Sequence, residues 1–239
     1  MKRTLKCHIK NTIEKAISLP KSIYVSFRLF PFLQALKIPI LCRYNVKCVS
    51  LRGRVSIKQL DRNSIKMGMI EIGFGHVGVF DKRYSRSILE INGCIRIDGN
   101  GKYHFGHGCR ICVGPKANLH IGTRFHNSAE MTLICMDEIH IGNQVLTSWN
   151  TLIMDTDFHE TMDTQTLDIH PSHAPIFIGN KVWIGTRSII LKGTIVPNGS
   201  IVGANTVVNK KFHTENVLIA GNPATIKKTN ITRYFRNYK

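Results

Sequence analysis

The sequence is short of acid. Fifteen Asp and Glu stand against 33 Lys and Arg in 239 residues, a formal net charge of +18. An excess of that size points to an anionic partner: nucleic acid, acidic lipid or a phosphorylated small molecule. Blocks of six cations, an aromatic RNP stretch and zinc-finger spacing are all missing, so nucleic acid is not the expected partner. No run approaches the ~18 uninterrupted apolar residues of a membrane span. The basic N-terminus MKRTLKCHIKNTIEK has no apolar h-region behind it and does not read as a signal peptide. Seven cysteines, an odd number scattered along a chain of this length, argue for free thiols in a reducing cytoplasm. Asn198-Gly-Ser and Asn230-Ile-Thr match the glycosylation triplet, but with no secretion signal they read as chance matches. With 43% hydrophobic and 20% charged residues, the chain can bury the core of one large domain, and wholesale disorder is excluded.

What the chain does have is a repeat. From Ile178 it reads IGNKVW, IGTRSI, ILKGTI, VPNGSI, VGANTV, VNKKFH. An aliphatic residue opens each unit of six: Ile178, Ile184, Ile190, Val196, Val202 and Val208. Four residues on stands a small or β-branched residue (Val182, Ser188, Thr194, Ser200, Thr206), and Gly or Pro follows the aliphatic in four units. Neither a 3.6-residue nor a two-residue period gives this pattern. A six-residue unit is a short strand plus a tight corner, with the aliphatic inward and Gly or Asn supplying positive φ. Three units close a triangular turn, so Ile178 should stack on Val196, Ile184 on Val202 and Ile190 on Val208. Each turn buries its inner face only against its neighbours, which is the logic of a solenoid. The chain reads as a β-helix.

The same grammar extends upstream in looser form. Ile141-Gly142-Asn143 with Thr147 and Ile153 makes one set, Ile121-Gly122 with Asn127 and Leu133 another, and Phe105-Gly106 with Ile111 a third. Ile91, Ile95 and Ile97 mark earlier rungs. The eight-residue step from Leu133 to Ile141 predicts a small excursion at 135–138. GFGHVG at 73–78 matches a dinucleotide-binding string, but no helical pattern follows it, so it reads as a corner. One long stretch breaks the period: residues 154–177, MDTDFHETMDTQTLDIHPSHAPIF. A loop of that length inside a solenoid is usually functional.

Residues 10–42 mix Pro-broken apolar segments with Lys and Arg. Two readings stand open there. One is a helical cap over the open end of the coil. The other is a surface lying on an anionic membrane, with Tyr24, Phe27, Phe30 and Phe32 as interfacial anchors. The expected layout is a cap over residues 1–50, a coil over 51–228 carrying the loop 154–177, and a basic tail over 229–239.

The run IGNKVWIGTRSIILKGTIVPNGSIVGANTVV, followed by AGNPA at 220–224, resembles the hexapeptide-repeat acyltransferases, and among them the sugar O-acetyltransferases. PKSIYVSFRLFPFLQALKIPI, residues 20–40, is similar to members that act in O-antigen or capsule synthesis. The resemblance implies an all-β fold, a left-handed parallel β-helix with a partly helical N-terminal cap and a short C-terminal element. It also implies a homotrimer with active sites between neighbouring subunits, and acetyl-CoA as acyl donor with no metal.

Acetyl transfer to an alcohol needs a base for the hydroxyl proton and a donor facing the developing oxyanion. Histidine is the natural base near neutral pH, and the long loop offers His159, His170 and His173. His159, in MDTDFHE, sits where the family carries its catalytic histidine, offset by about one residue. Asp157 and Asp155 flank it, to orient the ring or hold the acceptor. Asn150 falls where the galactoside-type enzymes have an active-site Asn, nine residues after Ile141; the bland alternative is a corner residue of the repeat. Trp183 faces outward by the repeat phase, to line the acceptor groove or pack a subunit seam. The resemblance gives Thr186, Ala204, Asn209, Lys210 and Lys228 as counterparts of the family's CoA-binding positions. Thr225 stands where the family has an Arg, a departure that Lys227 could compensate.

Three rivals remain. A zinc carbonic anhydrase of this fold needs an H-x4-H pair, and no two histidines here are five apart. An N-acetyltransferase of an amino sugar or antibiotic would use the same base and donor residues. A non-catalytic trimeric scaffold would not need the loop histidine and the CoA-side residues together. The expected acceptor is a sugar or lipid-linked oligosaccharide of a surface polysaccharide, modified in the cytoplasm at an anionic inner-membrane surface.

Overall fold

The computed structural model describes residues 11–58, 65–81, 84–99 and 101–234. The first ten residues of the basic N-terminus and the last five of the tail lie outside the described residues. Three parallel sheets of nine, seven and six strands form the walls of a triangular prism. The chain visits them in rotation, so each of their strands up to Leu218–Ala220 pairs in parallel with one a full coil away in sequence. In the hexad region Ile178 pairs with Val196, Ile184 with Val202 and Ile190 with Val208, as the 18-residue spacing requires. All six are buried, as are the small residues Val182, Ser188, Thr194, Ser200 and Thr206. Each buried aliphatic contributes on the order of 1.5–3 kcal/mol.

Upstream the coils lengthen. Ile121 pairs with Ile141, Ile111 with Leu133 and Ile97 with Ile121, steps of 20, 22 and 24 residues. The extra residues sit in the corners, and the inward positions are apolar apart from Asn127 and Thr147, a buried pair in which Asn127 Nδ2 donates to Thr147 Oγ1 at 3.0 Å. The excursion expected at 135–138 is a bend at 136–137 between two strands. The GFGHVG segment leaves the strand Ile70–Phe74 with no helix after it.

The corners are fixed by two devices. One edge carries a left-handed residue in five successive coils: Gly108, Glu130, Asn150, Arg187 and Asn205, with φ between 52° and 72°. Another edge carries an asparagine ladder. Asn143 Oδ1 accepts from the Thr123 N–H at 2.8 Å, Asn180 Oδ1 from Asn143 at 2.8 Å, and Asn198 Oδ1 from Asn180 at 2.7 Å. Each side-chain carbonyl thus satisfies a corner amide that no strand can reach. Asn198, the first residue of one glycosylation triplet, is a rung of this ladder.

The N-terminal end is covered. Residues 11–17 are helical and lead into helix α1 (Leu19–Leu29), followed by the short helix α2 (Phe32–Ala35). The buried face of α1 is Ser22, Val25, Ser26 and Leu29. It lies on the first strand, Ile40–Cys42, whose amides have no preceding strand to bond. Ser22 Oγ accepts from the Cys42 N–H at 2.9 Å and Ser26 Oγ from the Ile40 N–H at 3.3 Å. Two serines therefore close a sheet edge that would otherwise invite pairing with another chain.

Two expectations are corrected. The boundary at residue 50 falls inside the coil, because Ile40–Cys42 and Lys47–Leu51 already pair in the parallel sheets. Phe30 is buried, because it closes α1 on its packed side, whereas Tyr24, Phe27 and Phe32 stay exposed. At the other end Leu218–Ala220 adds one parallel strand, and Thr225–Lys228 folds back antiparallel on it and ends the sheet.

Candidate active site

The loop leaves the prism at the edge between the seven- and six-stranded sheets. Its root is the strand Leu152–Met154 and it rejoins at Ile176–Ile178. Within it Thr161–Met162 and Ile169–His170 form an antiparallel hairpin. Asp163 closes the hairpin turn by accepting from the N–H groups of Gln165 and Thr166 at 2.8 and 2.9 Å.

The three residues at the root do different work. Asp155 is fully buried: Oδ1 accepts from the Met136 N–H at 2.7 Å and Oδ2 from Asp137 at 2.9 Å. It builds the corner of the coil below and does not face an acceptor. Asp157 Oδ2 meets Lys192 Nζ at 2.7 Å. The same ammonium donates to the Pro171 carbonyl at 2.8 Å, so one coil residue holds both arms of the loop. Phe158 is left-handed, with its N–H bonded to Thr156 Oγ1 at 2.9 Å. His159 follows that bend and is exposed; among the described residues its ring makes no hydrogen bond or ion pair.

The other expected residues divide between two edges. Trp149–Asn150, Thr186–Arg187 and Ala204–Asn205 stack along the edge between the nine- and seven-stranded sheets. Asn150 is an exposed left-handed corner residue. Thr186 Oγ1 donates to the Trp149 carbonyl at 2.9 Å, and Trp183 Nε1 donates to Ser148 Oγ at 3.1 Å. Trp183 is half-buried beside the inward Ile184, as the repeat phase requires. Asn209 and Lys210 lie on the loop's edge, with Lys210 Nζ 5.4 Å from the Phe212 ring centroid. Lys228 ends the exposed antiparallel strand. Within one chain no hydrogen bond joins His159 to Asn150 or to the Thr186–Ala204 edge.

Sequence reasoning missed Lys192 and Ser148. The signal for Lys192 was a cation at a hexad corner in ILKGTI, one coil beyond the loop root. Cys135, bonded to the corner that Asp155 caps, is buried, and that burial pushes its thiol far above the usual range. It offers no thiolate nucleophile. Among the described residues no three His, Cys, Asp or Glu converge as metal ligands would. The outward histidines meet in pairs instead, His104 stacked on His126 and His120 tilted against His140. No described helix is long and apolar enough to cross a membrane.

No protein-family profile matches the chain. It is 31% identical over 127 residues to galactoside O-acetyltransferase of Escherichia coli K12, covering 52% of this chain and 62% of that protein. It is 44% identical over 66 residues to a protein of the same strain named for lipopolysaccharide-biosynthesis O-acetyl transfer, covering 28% and 31%. An uncharacterised protein of the cps region of Klebsiella pneumoniae is 29% identical over 210 residues, 88% of each chain. The chain thus spans less than two thirds of the galactoside O-acetyltransferases it matches. Among solved structures, a polySia-specific acetyltransferase superposes with a TM-score of 0.55 at 20% identity, over 83% of this chain and 76% of that one. The fold is the left-handed parallel β-helix, and the likeness to the hexapeptide-repeat acyltransferases and their sugar O-acetyltransferase branch is borne out.

Proposed function

We propose, from that likeness, that the chain is an acetyl-CoA-dependent O-acetyltransferase acting on a sugar hydroxyl of a surface-polysaccharide precursor. The observation that carries the reading is the pose of His159. The imidazole stands open to solvent on a loop that Lys192 ties at two points, which suits a base that must meet an incoming hydroxyl.

His159 takes the hydroxyl proton as the sugar oxygen attacks the thioester carbonyl, and returns it to the departing sulfur. The Asn150 amide lies on the edge suited to contact the thioester or acceptor. Lys192 holds Asp157, so Asp157 acts on His159 by fixing the loop backbone. Thr186, Ala204, Asn209, Lys210 and Lys228 hold the donor, the lysines facing its phosphates. The loop and the Asn150 edge lie on different corners of one prism. A homotrimer that sets the loop of one subunit against the corner of the next would complete the site.

A lipid-linked acceptor suits the +18 charge and the apolar N-terminal surface, and places the enzyme peripherally at an inner membrane. The deciding experiment measures acetyl-CoA consumption with free sugars, nucleotide sugars and lipid-linked oligosaccharides. Turnover on a sugar hydroxyl is expected. Preference for a small soluble amine would replace this reading by N-acetyl transfer.

A further inference from the structure

Two cavities adjoin on the flank below α2. One, of about 580 Å³, is lined by Lys66, Lys102 and Arg124 with Met67 and Met69. The other, of about 530 Å³, is lined by Phe32, Leu33, Lys37, Ile57 and Ile65. Ile65 and Lys66 are chain neighbours, so the apolar wall of one cavity passes directly into the cationic wall of the other.

The three cations stand in successive coils. Gly68 donates to the Ile38 carbonyl just beyond α2, and the strands that follow Lys66, Lys102 and Arg124 pair in order. With ~4.8 Å between paired strands, they span about 10 Å down the prism. Gly101 permits this stacking, since a Cβ there would meet the Arg124 backbone nitrogen at 2.9 Å. Among the described residues none of the three has a carboxylate partner. Three unpaired cations side by side repel one another and call for an anion.

The anion is not a free one. Phe32 and Leu33 remain 66% and 68% exposed at the mouth of the adjoining cavity. Inorganic phosphate would leave them facing water. We infer that this flank binds the phosphate of a membrane lipid, with Lys66, Lys102 and Arg124 on the headgroup and Phe32, Leu33, Ile57 and Ile65 along its apolar chain. The depth fits: an interfacial helix sinks ~5–10 Å into the headgroup boundary, which brings cations one to three coils below it to phosphate level. The inference rests on the membrane side of the proposed function and is independent of its chemistry.

The test is flotation of the full chain with phosphatidylcholine vesicles, with and without phosphatidylglycerol. Binding is expected only with the anionic lipid. Each cation near such a surface is worth about fivefold, so Lys66→Ala/Lys102→Ala/Arg124→Ala should weaken binding by about 100-fold. Phe32→Ser/Leu33→Ser, with every charge kept, should weaken it as well. Arg54→Ala/Arg96→Ala/Lys116→Ala removes the same charge from exposed positions elsewhere and should lose far less. Equal losses in the two alanine triples would mean bulk charge and overturn the site. So would unchanged binding in the serine pair. Acetyl transfer to a soluble sugar, measured in the same variants, should stay at the wild-type rate, so failure of the catalytic reading would show separately.

Discussion

Lys192 Nζ lies 2.7 Å from Asp157 Oδ2, two residues before the proposed base. The pair links the regular coil to the loop that interrupts it. Its worth to folding is small, because a half-exposed ion pair contributes about 0–1 kcal/mol. Its worth to catalysis is larger if it fixes the loop. Lys192→Ala should lower kcat by about tenfold or more through misplacement of His159. The urea midpoint should stay near wild type. Equal kcat in the variant would separate Lys192 from the site.

His159→Ala should lower kcat by on the order of 10²–10⁴ while CoA binding by calorimetry survives. Initial rates of the wild type should give intersecting patterns, since direct transfer requires donor and acceptor together. Parallel lines would point to a covalent acetyl-enzyme and count against the scheme.

Asp155 makes the opposite prediction. Asp155→Ala strands two half-buried N–H groups and should destabilise the chain by about 2 kcal/mol. Asp155→Asn keeps one acceptor and should cost about half as much. An effect on acceptor KM without a shift in the denaturation midpoint would restore Asp155 to the site.

Acid stability has two limbs. Glu71 is held down at about 2, first by its bond to His104 and then by Lys15. A carboxylate whose folded pKa is depressed stabilises the fold above its unfolded value, and that stability is lost as pH falls from ordinary carboxylate values towards 2. His126 is held at about 4, first by burial of its ring and then by the nearby His104 and Arg233. The unfolded chain takes up that proton first, so stability also falls between pH 6.5 and 4. Denaturation followed against pH should show both limbs. Glu71→Gln should remove the lower one and His126→Gln the upper.

The coil was legible because one inward residue every six leaves a mark that no other fold makes. The upstream rungs were harder to read, since two to six extra corner residues break the count while leaving Ile121, Leu133 and Ile141 inward. Asp155 misled because MDTD looks the same whether its first carboxylate faces a substrate or caps a corner. Only burial separates the two. Ser22 and Ser26 gave no sign of their task, since a serine bonding an edge strand and one facing water have the same spacing. The hairpin in the loop was hidden by the absence of alternation over so short a pair of strands.

The last prediction concerns which chains build one site. The loop exposes Phe158, Met162, Leu167 and Ile169 to water, a patch that calls for cover. His159 leaves from one edge of the prism and Asn150 from another. Both facts are met if the loop of one subunit lies against the Asn150 corner of its neighbour in a trimer. Ile169→Asp should then shift light scattering from trimer towards monomer and reduce turnover with it. A mixing experiment is sharper. His159→Ala and Asn150→Ala chains, each inactive alone, are unfolded together and reassembled in equal amounts. If every site takes His159 from one chain and Asn150 from the next, about one quarter of the sites regain both residues. About a quarter of wild-type activity should return. If both residues serve a site within one chain, no mixture can repair it and activity stays at zero.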